Sequence, residues 1–118
     1  MVLQCDASSK GLGCCVLQNS HPVAYASRAL TTTECNYAQI EKELLAILFA
    51  MEKFELYVYG RFVTVESDHK PLEVITKKSL VNAPKWLQRM LLQLQKYDFE
   101  VIYKPGSQLL ELVNQTPK

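Results

Sequence analysis

The 118-residue sequence has no apolar stretch long enough to cross a bilayer. Its N-terminus has no basic segment leading into a long apolar run and a small-residue cleavage site, so it does not read as a signal peptide. Internal repeats and low-complexity segments are absent. The four cysteines, Cys5, Cys14, Cys15 and Cys35, lack the paired spacing of a zinc site. They read as small buried hydrophobes in a reducing compartment. The turn Asp6-Ala7-Ser8-Ser9-Lys10-Gly11-Leu12-Gly13 lacks the Walker pattern and a strand–glycine–helix unit, so Gly11 and Gly13 are assigned to a hairpin, with Gly11 able to take positive φ. A large excess of one charge is also missing. The formal net charge is +1, which does not by itself point to a nucleic-acid partner.

The chain is long enough for one domain and too short for two, and 48% of its residues are hydrophobic, sufficient for a core. Its start, Met1-Val2-Leu3-Gln4-Cys5-Asp6, lies almost inside a strand, as expected of a piece of a longer polyprotein or a truncated product. Charge is unevenly distributed. Residues 1–68 hold five basic and eight acidic side chains, whereas residues 69–118 hold eight basic and four acidic. An acidic half beside a basic half suits a metal site next to a phosphate-binding surface.

Val2–Asp6, Leu12–Gln18 and Pro22–Ser27, separated by turn residues, read as three strands, an antiparallel meander. Thr31-Thr32-Thr33-Glu34 is a capping box, predicting one helix from there to about Phe54–Tyr57. Its apolar stripe is Ile40, Leu44, Ile47, Leu48, Met51 and Phe54, and Gly60 closes the unit. A strand follows over Arg61–Ser67, then a short helix from Pro71 to about Thr76 and a polar loop over Lys77–Asn82. A helix opening at Pro84 carries Trp86, Leu87, Met90, Leu91 and Leu94 on its apolar side. Phe99–Tyr103 reads as a fifth strand and Leu109–Val113 as the start of a last helix. A meander followed by β–α–β crossovers gives an α/β fold, one mixed sheet with helices packed on it.

Three carboxylates carry the chemistry. Asp6 and Asp68 each end an apolar strand and precede a turn or helix start. Strand ends in α/β sheets favour active sites, but an Asp there also caps turns and helices. Glu43 shares its side of the helix with Ile40 and Ile47, where an unpaired carboxylate is costly. Either it skirts the core edge to reach water or a lysine, or it has work at the core margin. Glu41, Glu52 and Glu55 lie toward the opposite edge. Three carboxylates brought together repel, and divalent cations are the usual reason such a cluster survives. His69 is either a proton carrier or substrate contact, or a structural turn residue.

Many short motifs then occur in a recognisable order. They are Cys5-Asp6-Ala7-Ser8 with Gly11 and Gly13, Pro22–Arg28 with Leu30-Thr31, Asn36-Tyr37, Glu41-Lys42-Glu43-Leu44-Leu45-Ala46, and Tyr57, Tyr59 and Gly60. They continue with Ser67-Asp68-His69-Lys70-Pro71-Leu72-Glu73, Tyr97-Asp98-Phe99-Glu100 and Tyr103-Lys104-Pro105-Gly106. From about Leu3 to Gly106 the chain resembles the RNase H domain of reverse transcriptases from gypsy-type LTR retrotransposons. The resemblance implies an RNase H-like fold, a five-stranded mixed sheet flanked by helices, forming a single domain over residues 1–118 with an atypical end over about 107–118. It implies cleavage of the RNA strand of an RNA–DNA hybrid with two Mg²⁺ ions, for which Mn²⁺ can substitute. Asp6 matches the carboxylate that bridges both ions, and Glu43 and Asp68 match ligands of one. Paired ions about 3.5–4 Å apart activate the attacking water and stabilise the leaving oxygen. Lys70, Lys77, Lys78, Lys85 and Arg89, with His69, are the expected substrate contacts.

The implied partners are an RNA–DNA hybrid and a polymerase domain of the same polyprotein, with no membrane, in an intracellular and by family expectation cytoplasmic setting. The family pattern breaks after Pro105-Gly106. Ungapped alignment puts Val113, preceded by Leu112, where a fourth carboxylate is expected. Glu111 lies two residues away, roughly 160–200° around a helix. The tail Asn114–Lys118 also departs from the family ending, as a frame change, splice junction or sequence decay would leave it. The expected consequence is weakened or lost activity. The alternative reading is a catalytically inactive remnant that binds nucleic acid or protein.

Overall fold

Alternating side chains build the sheet. In the computed structural model, which describes residues 1–68 and 84–105, β1 (Val2–Ala7) sends Leu3, Cys5 and Ala7 into the core. Strand β2 (Gly11–Gln18) pairs antiparallel with it in the register Cys5 to Cys14 and Asp6 to Gly13. The turn between them is held by Ser8, whose N–H donates to Gly11 O at 2.8 Å and whose Oγ accepts from Gly11 N at 3.0 Å. Gly11, though able to take positive φ, does not use that freedom in this serine-held turn. Among the described residues the left-handed ones are Asn19 (φ 52°), Ser20 (φ 66°) and Gly60 (φ 76°). Asn19 and Ser20 form a two-residue connection with both φ positive, the geometry that matches strand twist in a tight hairpin, and lead into β3 (His21–Ala29).

The Thr31 capping box forms. Glu34 N–H donates to Thr31 Oγ1 at 3.2 Å, and Thr31 N–H donates to Glu34 Oε1 at 2.9 Å. The helix it opens is not the long one expected. It stops as α1 (Thr32–Cys35), Ala38 is extended, and the chain restarts as α2 (Gln39–Lys53), with Glu41 Oε1 accepting from Ala38 N–H at 2.6 Å. Contacts from elsewhere in the fold hold the break. Arg28 of β3 grips Glu34 through two hydrogen bonds of 2.7 and 3.0 Å, and Tyr37 stacks on Trp86 with centroids 4.5 Å apart. The apolar stripe belongs to α2, where Leu44, Ile47, Leu48 and Met51 are buried. Phe54 ends α2, α3 (Glu55–Val58) adds one turn, and left-handed Gly60 turns the chain into β4 (Phe62–Ser67). Helix α4 (Lys85–Leu94) lays Leu87, Met90 and Leu94 into the core against α2. Strand β5 (Asp98–Tyr103) completes a five-stranded sheet of order β3-β2-β1-β4-β5, with β4 parallel to both neighbours.

Cys5, Cys14 and Cys15 are buried free thiols, as read, whereas Cys35 is exposed because α1 buries no residue. Burial and the neighbouring Cys15 push the Cys14 thiol up to about 12. The expected helices over Pro71–Thr76 and Leu109–Val113 and the loop over Lys77–Asn82 lie outside the described residues. No helix among the described residues is long and apolar enough to cross a membrane.

Candidate metal centre

The central strands β1 and β4 run parallel and are paired from Val2–Gln4 against Thr64–Glu66. Beyond Gln4 the ladder stops, and the strand ends carry carboxylates. Asp6 is buried near the end of β1, and Asp68 is exposed one residue past β4. Helix α2 packs on β1 and brings Glu43 between them from the third side. One oxygen from each of Asp6, Glu43 and Asp68 lies within 4.8 Å of the others.

Glu43 is 2% exposed. Its Oε1 accepts from Ala7 N–H at 3.0 Å and from Gln39 Nε2 at 2.9 Å. Its Oε2 is buried with no hydrogen-bond partner. The ion pairs of the described residues join Arg28 to Glu34, Lys96 to Glu55 and Lys104 to Glu66, and none reaches the triad. Lys42 is buried next to Glu43 in sequence, yet its Nζ donates to Ser9 O, at 3.5 Å. The edge reading of Glu43, reaching water or a lysine, therefore does not describe this geometry.

Without a cation the cluster is electrostatically unfavourable, and the proton affinities say so. Burial, then the charge of Asp6, push the Glu43 carboxyl up to about 8, against the lowering effect of its bonds to Gln39 and Ala7. Burial, then the charge of Asp68, push Asp6 up to about 6. A buried carboxylate with one oxygen lacking a donor, clustered with two more carboxylates, suits a hard divalent cation, which prefers oxygen ligands. The donor set therefore fits Mg²⁺ or Mn²⁺, with Asp6, Glu43 and Asp68 as the groups able to hold it.

Of the expected substrate contacts, Lys85 and Arg89 are exposed one turn apart on α4. His69, Lys70, Lys77 and Lys78 lie outside the described residues, as do Glu111, Leu112 and Val113. Sequence reading missed Gln39 and the backbone of Ala7. The spacing of Gln39 to Glu43, one helical turn, was the available signal.

Residues 1–97 match the model of the RNase H-like domain found in reverse transcriptase. The chain is 40% identical over 107 residues to the retrovirus-related Pol polyprotein from transposon 297 of Drosophila melanogaster, covering 91% of this chain and 10% of the polyprotein. It is 43% identical over 105 residues to that from transposon 412, covering 86% of this chain and 8% of the polyprotein, and 36% identical over 107 residues to that from transposon gypsy, covering 90% and 10%. The chain thus spans about a tenth of the length of these relatives. Among solved structures, the foamy viral protease-reverse transcriptase in complex with RNA/DNA hybrid superposes with a TM-score of 0.74 at 23% identity, over 99% of this chain and 16% of that one. RNase H1 from the halophilic archaeon Halobacterium salinarum gives 0.68 at 15% identity, over 89% and 85%. At these identities the structural likeness speaks for the fold.

Proposed function

The chain belongs to the family of RNase H-like domains found in reverse transcriptase, and from that membership we propose that it is the metal-dependent endonuclease domain of a retrotransposon polyprotein. Its substrate is the RNA strand of an RNA–DNA hybrid, and residues 1–118 form one domain. The observation that carries the reading is the cluster of Asp6, Glu43 and Asp68, in which Glu43 Oε2 is buried without a hydrogen-bond partner. Asp6, on the central strand, Glu43 and Asp68 are the residues that would hold the metal. Bound Mg²⁺ or Mn²⁺ would neutralise the scissile phosphate and lower the proton affinity of the attacking water.

The chain's own residues hold and orient. Glu43 is fixed by Ala7 and Gln39, and Asp6 by the β1–β2 ladder. Lys85 and Arg89 on exposed α4, with His69, Lys70, Lys77 and Lys78, are the proposed phosphate contacts, and a polymerase domain of the same polyprotein is the proposed neighbour. The second reading, a binding module of impaired activity, is favoured by Val113 standing where the family pattern has an acid. Incubating the chain with a hybrid labelled on the RNA strand, with Mg²⁺ or Mn²⁺ and alongside Asp6→Asn, separates the two. Cleavage lost in the variant supports the nuclease. Equal traces from both proteins leave only the binding module.

A further inference from the structure

We infer that Gln39 is a positioning residue for the metal centre, which makes Glu43 a one-oxygen ligand; this rests on the metal-centre reading above. Gln39 is the first residue of α2, and its side-chain nitrogen makes two bonds at once. Nε2 donates to Ala7 O at 3.0 Å and to Glu43 Oε1 at 2.9 Å. Ala7 O can only accept, and Glu43 Oε1 already accepts from Ala7 N–H, so the amide presents its nitrogen to them and both of its hydrogens are used. Ala7 completes the loop by donating its N–H to Glu43 Oε1 at 3.0 Å. The three groups form a closed ring joining the end of β1 to the start of α2.

The ring forms where the sheet leaves backbone groups open. The β1–β4 ladder ends at Gln4 and Glu66, so the N–H and C=O of Ala7 find partners in Glu43 and Gln39 rather than in β4. Glu43 Oε1 thereby has two donors, and Oε2 has none. The ring therefore decides which oxygen is left open to a cation. Without Gln39 the carboxylate keeps one donor and gains freedom to rotate. Groups that orient a metal ligand in this way typically alter affinity by about 10–100-fold.

The test is Mg²⁺ titration of the 118-residue chain by calorimetry at pH 8, using the parent, Gln39→Ala and Gln39→Leu. Leucine keeps much of the bulk of the side chain and removes both donor hydrogens. About tenfold weaker Mg²⁺ binding is expected in both variants, with the metal-free melting temperature close to the parent's, since Gln39 is itself exposed. Parent-like affinity in either folded variant overturns the inference. If the parent itself takes up no Mg²⁺, the metal-centre reading fails and the inference falls with it, a result distinct from the first.

Discussion

Glu43 is held by two hydrogen bonds on one oxygen and by nothing on the other, and its proton affinity follows from that asymmetry. Its folded value of about 8 lies above the ordinary 4.5, and that of Asp6, about 6, above 3.8. A group whose folded value is raised contributes stability at low pH that is lost as pH rises through that value. The metal-free chain should therefore lose stability as pH climbs from about 4.5 to about 8, and apparent Mg²⁺ affinity should climb over the same range as protons leave the site. Glu43→Gln should flatten the stability profile, abolish Mg²⁺ binding and raise the metal-free melting temperature at pH 8 by about 4 °C, the shift expected from roughly 1 kcal/mol in a domain of this size. Scanning calorimetry across pH checks all but the binding, which the titration reads. Asp6, Glu43 and Asp68 were legible in the sequence because each breaks an apolar pattern. Gln39 was not, because its work depends on the open backbone edge of Ala7, which exists only once β1 and β4 have parted.

At the scale of elements, short apolar segments bounded by turn residues located the five strands to within two residues at each end, and period 3.6 located the buried face of α2. The single predicted helix became three because its interruption is tertiary in origin. The capping box at Thr31 is a local signal, but the stop at Asn36 accompanies the grip of Arg28, a residue of β3, on Glu34 and the stack of Tyr37 on the distant Trp86. The Arg28 guanidinium beside Glu34 holds that carboxyl down at about 2, so this clip keeps its charge across the ordinary pH range and its contribution fades only in strong acid. Thr31→Ala should cost about 1 kcal/mol through the lost cap, measured as a lower denaturation midpoint. Because the cap lies outside the carboxylate cluster, Mg²⁺ affinity should be unchanged.

The whole molecule pairs an acidic first half with a basic second half, and the fold sets α4, bearing Lys85 and Arg89, against α2, which bears Glu43. If these cations meet phosphates, hybrid binding should fall linearly with the logarithm of salt, and removing both side chains should reduce that slope by about two contacts' worth. Binding measured across a salt series in Lys85→Ala/Arg89→Ala checks this. The fold class was legible from the order of elements, while the chain's span of only a tenth of its polyprotein relatives came from comparison alone. The acid expected at Val113 is also a whole-chain matter: Val113→Asp should raise the cleavage rate, and an unchanged rate would contradict the ungapped alignment.

The most direct measurement is strand-resolved cleavage of an RNA–DNA hybrid by the 118-residue chain, with each strand labelled in turn and Mg²⁺ added or chelated. The account predicts cuts in the RNA strand alone, dependent on the ion and abolished in Asp6→Asn. Cleavage of both strands, cleavage that survives chelation, or no cleavage above the Asp6→Asn background would contradict it.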